Sequence, residues 1–175
     1  MKIIIKNNLK KKAVTPIITG VVITLIAVIF MGIIISFVIP YFNTIEDLTK
    51  FRNNKQTLLA IDDILEDLKF SDVNSYKEIY IHPNNKIKFN SNNSNIIIEQ
   101  YISNNDYYNN FKNNLNYGNL NISKENNKLI YTLNLENIDL NQNFELMPSK
   151  QKIKFKVIDL NSNKPIIFLK RIEQN

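Results

Sequence analysis

The stretch VTPIITGVVITLIAVIFMGIIISFVI, residues 14–39, contains no charged residue and consists mostly of Ile, Val, Leu, Phe and Met. As an α-helix it is ~39 Å long, which exceeds the ~30 Å thickness of the hydrocarbon core of a bilayer. The apolar core of a cleaved secretory signal is usually only ~7–15 residues long, so that alternative fits poorly. The stretch therefore predicts a transmembrane helix over residues 14–40, in contact with the lipid bilayer.

The residues before this stretch form a basic leader, residues 1–13, with five lysines and no acidic residue. The whole chain has 22 basic and 16 acidic residues and a net charge of +6, so without those lysines 17 basic residues face 16 acidic ones. The excess is local, and we expect no nucleic-acid partner. By the positive-inside rule the leader stays in the cytoplasm and the chain after Pro40 lies outside a single-pass cell membrane. Thr15 and Pro16 are typical of a helix start, as cap and first helical residue.

Small residues recur at every fourth position of the apolar run and are expected to share one face. Gly20 with Thr24, and Gly32 with Ser36, are small-xxx-small pairs, which let two helix backbones approach closely in lipid. These four residues are predicted to mediate helix packing. The alternative is that Gly and Thr are simply frequent in membrane helices.

After Pro40 a helical pattern continues, which predicts an amphipathic helix over residues 41–70 outside the membrane. Its apolar stripe comprises Tyr41, Ile45, Leu48, Phe51, Leu58, Ile61, Leu65 and Leu68, with Asn54 and Lys55 in the one gap. The opposite face carries Glu46, Asp47, Lys50, Arg52, Asp62, Asp63, Glu66 and Asp67. The acidic residues from 62 to 67 form a cluster suited to a divalent cation or a basic partner, although a solvated helix face is the simpler interpretation.

From residue 72 onward the apolar period changes to two, as in β-strands. Alternating segments occur at residues 79–81, 87–89, 96–98, 129–135 and 153–157, and residues 166–169 resemble a last strand. We therefore predict an α+β fold: one long N-terminal helix, then a β-rich extracytoplasmic domain over residues 72–175, built as a small antiparallel sheet or sandwich. The helix stripe is expected to pack on one sheet face. Residues 103–127 are Asn-rich and aromatic, and predict a long loop with a short helix.

Residue types that carry catalysis are scarce. The chain has three glycines, no cysteine and one histidine, His82, which precedes a proline in a predicted turn. Neither a phosphate-binding loop nor a zinc site can be assembled from this set. We expect no enzymatic activity, no cofactor and no metal. Two other features are candidates: an aromatic stretch from Tyr101 to Tyr117 that is either adhesive or structural, and two glycosylation sequons at Asn92 and Asn121.

The segment Lys11-Lys12-Ala13-Val14-Thr15-Pro16 resembles the start of archaeal type IV pilin-like proteins, which carry a class III signal peptide. The resemblance covers roughly residues 10–40. It implies that a prepilin-type peptidase cuts between Ala13 and Val14 and leaves the apolar helix on the mature protein. Ile18, the fifth mature residue, stands where the bacterial version has a glutamate, which counts against a bacterial-type pilin only.

The resemblance implies a non-enzymatic subunit or accessory protein of a cell-surface filament, anchored by its N-terminal helix. Its partners would be itself or other pilin-like subunits, through that helix. The alternative is a permanently anchored surface binding module with a β-rich outer domain. The two hypotheses differ in whether residues 1–13 are removed and whether the small-residue face is used.

Overall fold

The computed structural model describes residues 5–103, 114–161 and 164–172, with side chains described from Ile18 onward. The chain divides into two compact units, Met1–Asn43 and Thr44–Asn175, here named the N-terminal and C-terminal units. The predicted α+β class, a long N-terminal helix followed by antiparallel-rich sheets, is confirmed.

A single helix, α1, spans Ile5–Lys69. It begins ten residues before Thr15, so the predicted start with Thr15 as cap and Pro16 as first residue is wrong. A proline inside a helix removes one backbone hydrogen bond, but the lysines and alanine that precede Pro16 are strong helix formers. Pro40 also lies within the helix. The last turn is closed at Ser71, whose N–H donates to the Leu68 carbonyl at 3.1 Å.

The buried face of α1 in the C-terminal unit repeats every three or four residues. Its apolar part, Leu58, Ile61, Leu65 and Leu68, is at most 1% exposed, as the sequence pattern predicts. Nearer the N-terminus the predicted stripe is wrong, because Tyr41 and Ile45 are exposed while Asp47 and Asn54 are buried. Asp47 lies seven residues before Asn54 and eleven before Leu58, hence on the same helical face.

Ten strands follow the helix in the part of the chain that the structure describes. They are β1 (Tyr76–Ile81), β2 (Ile87–Asn90), β3 (Asn95–Tyr101), β4 (Leu115–Tyr117), β5 (Leu120–Glu125), β6 (Lys128–Asn134), β7 (Asp139–Leu140), β8 (Phe144–Leu146), β9 (Gln151–Asn161) and β10 (Lys164–Ile172).

The strands form two sheets. The four-stranded sheet has the order β1-β9-β10-β7, and the six-stranded sheet has the order β4-β5-β6-β3-β2-β8. All neighbouring strands are antiparallel except β7 and β10, which are parallel. The register shifts at a bulge between Ile166 and Ile167, opposite β9.

Both sheets and the helix contribute to one hydrophobic core. The two sheets meet at Phe89 of β2 and Phe155 of β9, whose ring centroids are 6.4 Å apart. The helix meets the six-stranded sheet at Phe51, whose ring lies 5.9 Å from that of Tyr131 in β6. Alternation along β9 buries Ile153, Phe155 and Val157 in this core and leaves the lysines between them on the outer face.

Residues 103–127, predicted as a loop with a short helix, contain two strands in their described part. β4 and β5 form a hairpin in which Tyr117 pairs with Leu120 across a two-residue turn. Gly118, the first turn residue, has a φ of 60°, a value that glycine adopts without steric cost. Three-residue β4 is too short for periodicity to reveal. Tyr107, Tyr108 and Phe111 of the aromatic stretch lie outside the described residues.

Candidate functional site: the exposed helix and the polar groups of the C-terminal unit

The apolar part of α1 is exposed on every side. From Ile18 to Ile39 each large apolar side chain is at least 39% exposed, the lowest value being that of Val38. Among the described residues, α1 is the one helix long and apolar enough to cross a membrane. Its length and composition are compatible with a membrane-spanning helix.

The two predicted small-residue pairs lie within this exposed segment. The Thr24 hydroxyl donates to the Gly20 carbonyl at 2.9 Å, and the Ser36 hydroxyl donates to the Gly32 carbonyl at 2.8 Å. Both hydroxyls are therefore satisfied inside the helix and add no unpaired donor in an apolar medium. A Cβ atom added at either glycine would meet no atom within 4 Å.

The four small residues were predicted to share one face of the helix. Helix geometry divides them between two faces. Successive helical residues are rotated by ~100°, so residues four apart differ by only ~40°, but Gly20 and Gly32 differ by ~120°. The helix thus carries two separate patches: patch A, formed by Gly20 and Thr24, and patch B, formed by Gly32 and Ser36.

Aromatic and charged residues follow the apolar segment. Tyr41 and Phe42 are both exposed, and their rings meet edge to face at 6.5 Å. Tyrosine, unlike phenylalanine, is enriched at the boundary between lipid and water, so Tyr41 suits such a position. The first charged residue after the apolar segment is Glu46, whose carboxylate lies 2.6 Å from the Lys50 ammonium. The hydrogen bond from Lys50 lowers the pKa of Glu46.

The predicted processing residues, Lys11, Lys12, Ala13 and Val14, lie in the first turns of α1. Their side chains are outside the described part of the structure.

A buried polar cluster joins the helix to the six-stranded sheet. The Asn54 amide donates to Gln100 Oε1 at 3.0 Å and to Asn85 Oδ1 at 3.1 Å. The Tyr131 hydroxyl donates to the same Gln100 oxygen at 2.7 Å. The Gln100 amide donates to the carbonyl of Asp47 at 2.9 Å. Sequence reasoning missed this cluster; its one signal was the polar gap at Asn54 in an otherwise apolar stripe.

The Asp47 side chain has its own role next to this cluster. Its Oδ2 accepts a hydrogen bond of 2.7 Å from the N–H of Ser103, just after β3. A buried carboxylate is tolerated when a donor satisfies it. Asp47 therefore fixes the end of β3 against α1, which explains why an acidic residue occupies the buried face.

The acidic cluster on α1 is engaged by neighbouring groups. Asp67 pairs with Lys77 of β1, and Glu66 pairs with Lys69 at 3.4 Å. Asp62 Oδ1 accepts a hydrogen bond from Asn119 at 3.4 Å, while partial burial raises the pKa of Asp62. No group of residues suited to hold a metal ion occurs in residues 18–103, 114–161 or 164–172. This geometry favours the interpretation of these carboxylates as a structural, solvated face.

The two sequons have different surroundings. Asn92 is exposed in the turn between β2 and β3, as an acceptor for glycosylation must be. Asn121 lies within β5, flanked by β4 and β6, and its Oδ1 is buried without a hydrogen-bond donor among the described residues. Asn92 is therefore the better acceptor of the two.

Comparison of the chain with protein-family models, with curated proteins and with solved structures found no match.

Proposed function

We propose that this protein is a non-enzymatic, pilin-like subunit or accessory protein of a cell-surface filament. The observation that carries the proposal is the helical segment from Ile18 to Ile39, whose large apolar side chains are all exposed. Such a segment is suited to lipid before assembly and to a bundle of identical helices after it, because both surroundings are apolar.

The arrangement of the small residues supports assembly over a solitary anchor. A helix that contacts one partner needs one close-packing face, whereas a helix within a filament contacts several neighbours. Patches A and B point about 120° apart, which permits close approach of two different neighbours. In both patches the hydroxyl is bonded within its own helix, so packing leaves no polar group without a partner.

The N-terminal residues supply the route from membrane to filament. The resemblance to archaeal type IV pilin-like proteins places a scissile bond between Ala13 and Val14, on the cytoplasmic side. Cutting there removes all five lysines that precede the apolar run. These charges hold the helix end at the membrane surface, so their removal frees the helix to leave the bilayer.

N-terminal sequencing of the mature protein tests the proposal, in cells that contain a prepilin-type peptidase. We expect a mature chain that starts at Val14. Lys12→Glu and Ala13→Phe should each block the cut and leave a chain thirteen residues longer. Lys6→Glu, which changes the same charge farther from the bond, is the matched control and should still be cut. A wild-type chain that keeps Met1 under these conditions contradicts the proposal and favours the permanently anchored module.

A further inference from the structure

The outer face of the four-stranded sheet carries a regular array of side chains. Residues paired across antiparallel strands project to the same side, so the register of β1, β9 and β10 defines three rows on this face. The rows are Tyr76–Lys156–Phe168, Glu78–Lys154–Lys170 and Tyr80–Lys152–Ile172. We name this array the lysine–tyrosine face.

The charge of this face is strongly unbalanced, with four lysines and one carboxylate. Glu78 lies 2.6 Å from Lys152 and 4.0 Å from Lys154, and the hydrogen bond between Glu78 and Lys152 lowers the pKa of Glu78 and raises that of Lys152. Lys156 and Lys170 form no ion pair within the described part of the chain. The C-terminal unit as a whole is close to neutral, so the positive charge is a property of this face.

Two tyrosines form one edge of the face and are held by the lysines. The Lys154 ammonium lies 3.6 Å from the centroid of the Tyr76 ring, and the Lys152 ammonium lies 5.3 Å from that of Tyr80. Both rings are more than half exposed. Such cation–π contacts fix the orientation of the rings and leave an apolar surface with a hydroxyl tip open to solvent.

The shape of the face suits an extended ligand. An open pocket of 610 Å³ lies over part of it, on the side of β9 and β10, and is lined by Glu78, Lys154, Lys156, Phe168, Lys170, Arg171 and Ile172. Alternate residues of a strand are ~6.7 Å apart, so the side chains of Lys152, Lys154 and Lys156 form a straight row ~13 Å long, in which Lys152 is paired with Glu78. A row of that kind matches a linear polymer with regularly spaced negative charges.

We propose that the lysine–tyrosine face binds a linear acidic polysaccharide. Lysines neutralise the carboxylates of the polymer, and the tyrosine rings stack on the apolar faces of its sugars. Glu78, at the centre of the face, is neutralised by its pair with Lys152, and its carboxylate oxygens can accept hydrogen bonds from sugar hydroxyls. Access to such a polymer rests on the exported topology in the proposed function.

A second copy of this chain is a weaker fit for the face. The acidic cluster on α1 is the one dense group of carboxylates available as a counterpart. Asp67 and Glu66 in that cluster already pair with Lys77 and Lys69, so within the described part of the chain only Asp62 and Asp63 remain without an ion pair to face four lysines.

Direct binding by the full chain in nanodiscs tests the proposal, with polygalacturonate as the probe. Its fully methyl-esterified form, a single-stranded oligothymidylate and the protein alone are the comparison arms. We expect saturable binding of polygalacturonate that weakens with added NaCl, because binding releases the counterions of the polymer. The esterified form should not bind, since it has the same sugars without charge.

Lys156→Gln with Lys170→Gln should weaken this binding by about fivefold to tenfold, because both contacts are solvent-exposed charge contacts. The matched control is Lys86→Gln, in the turn before β2, combined with Lys88→Gln in β2. It removes the same charge from the region of the other sheet and should leave the affinity within about twofold of wild type. Tyr76→Ala with Tyr80→Ala keeps the charge and should also weaken binding. Circular dichroism of each variant verifies that it is folded.

Four results would overturn the proposal. The first two are binding of the esterified polymer as tight as that of polygalacturonate, and binding of oligothymidylate at least as tight. The third is that both double lysine substitutions weaken polygalacturonate binding equally. The fourth is that the protein does not bind the polymer but self-associates through the face in a salt-sensitive way. None of them affects the start of the mature chain or the membrane insertion of α1, so failure here is distinguishable from failure of the filament proposal.

Discussion

Asn54 occupies a position of the buried helical stripe where the surrounding pattern calls for an apolar side chain. It is fully buried, and its amide connects α1 to Gln100 in β3 and to Asn85 in the turn before β2. Its own Oδ1 is buried without a donor among the described residues. Burying Asn54 costs free energy, but its hydrogen bonds specify one register of α1 on the six-stranded sheet. Any shift of the helix along the sheet would leave further buried polar groups without partners.

Replacing Asn54 by Ala should lower the free energy of unfolding by about 1–3 kcal/mol, since Gln100 and Asn85 lose a buried donor. Chemical denaturation of the detergent-solubilised protein measures the change. Asn53→Ala, one residue away and half-buried, is the matched control and should change stability by less than about 0.5 kcal/mol. Equal effects of the two substitutions would show that the buried hydrogen bonds contribute little.

The helix α1 changes character along its length, and the change is one of surroundings rather than of backbone structure. In its first half every large apolar residue from Ile18 onward is exposed, whereas in its second half one face is in the core of the C-terminal unit. Helix packing in lipid depends on close approach rather than on the hydrophobic effect. In the proposed assembly, the small residues of patches A and B are the positions of α1 that allow a neighbouring helix to approach most closely.

Gly20→Leu and Gly32→Leu should each weaken helix–helix crosslinking in membranes and in isolated filaments, because the added side chain fills the space beside its patch. Losses of ~1–2 kcal/mol per contact are expected, and repetition along a filament makes them visible. Hydropathy rises only slightly, so insertion should persist. Ile26→Phe, which adds bulk on the side away from both patches, is the control. Wild-type crosslinking in both leucine variants would exclude the patches as contact surfaces.

At the scale of the molecule, the boundary between the two units falls inside a continuous helix, at Asn43–Thr44. Among the α1 side chains that the structure describes, from Ile18 onward, the buried ones all lie beyond it, from Asp47 to Leu68. The C-terminal unit therefore contains its whole core, and the N-terminal unit contributes the apolar segment. This division is compatible with the proposed function, in which the helix leaves the bilayer for a filament while the C-terminal unit keeps its fold.

A chain that begins at Thr44 should be soluble and unfold cooperatively on heating, because it keeps the complete core and lacks the exposed apolar segment. A chain that begins at Phe70 should not fold. It lacks Leu58, Ile61, Leu65 and Leu68, whose combined loss at ~2–5 kcal/mol per residue is as large as the whole ~5–15 kcal/mol stability typical of a domain. Thermal denaturation followed by circular dichroism distinguishes the two. A folded shorter chain would show that α1 is dispensable for the core.

Features that depend on neighbours in the sequence could be predicted from it. The apolar helix can be predicted from composition alone, because a segment suited to lipid has apolar side chains on all sides and bonds its backbone within the helix. The helical stripe from Leu58 to Leu68 and the alternation in β3, β6 and β9 follow from periods of 3.6 and two, since each element buries one face. The α+β class follows from their order along the chain.

Features that depend on distant residues were decided by the tertiary structure. Asp47 and Asn54 can be buried because Ser103 and Gln100 form hydrogen bonds with them. These partners lie 56 and 46 residues away in sequence, so no local pattern reveals them. The short strands β4, β7 and β8 exist because a longer neighbour offers them hydrogen bonds. The lysine–tyrosine face arises because β1 pairs with β9, some 75 residues later, which places Glu78 among lysines. Local sequence determines which side of a helix or strand is apolar. Only tertiary packing determines which residues lie against the apolar side and which side chains gather on the polar side.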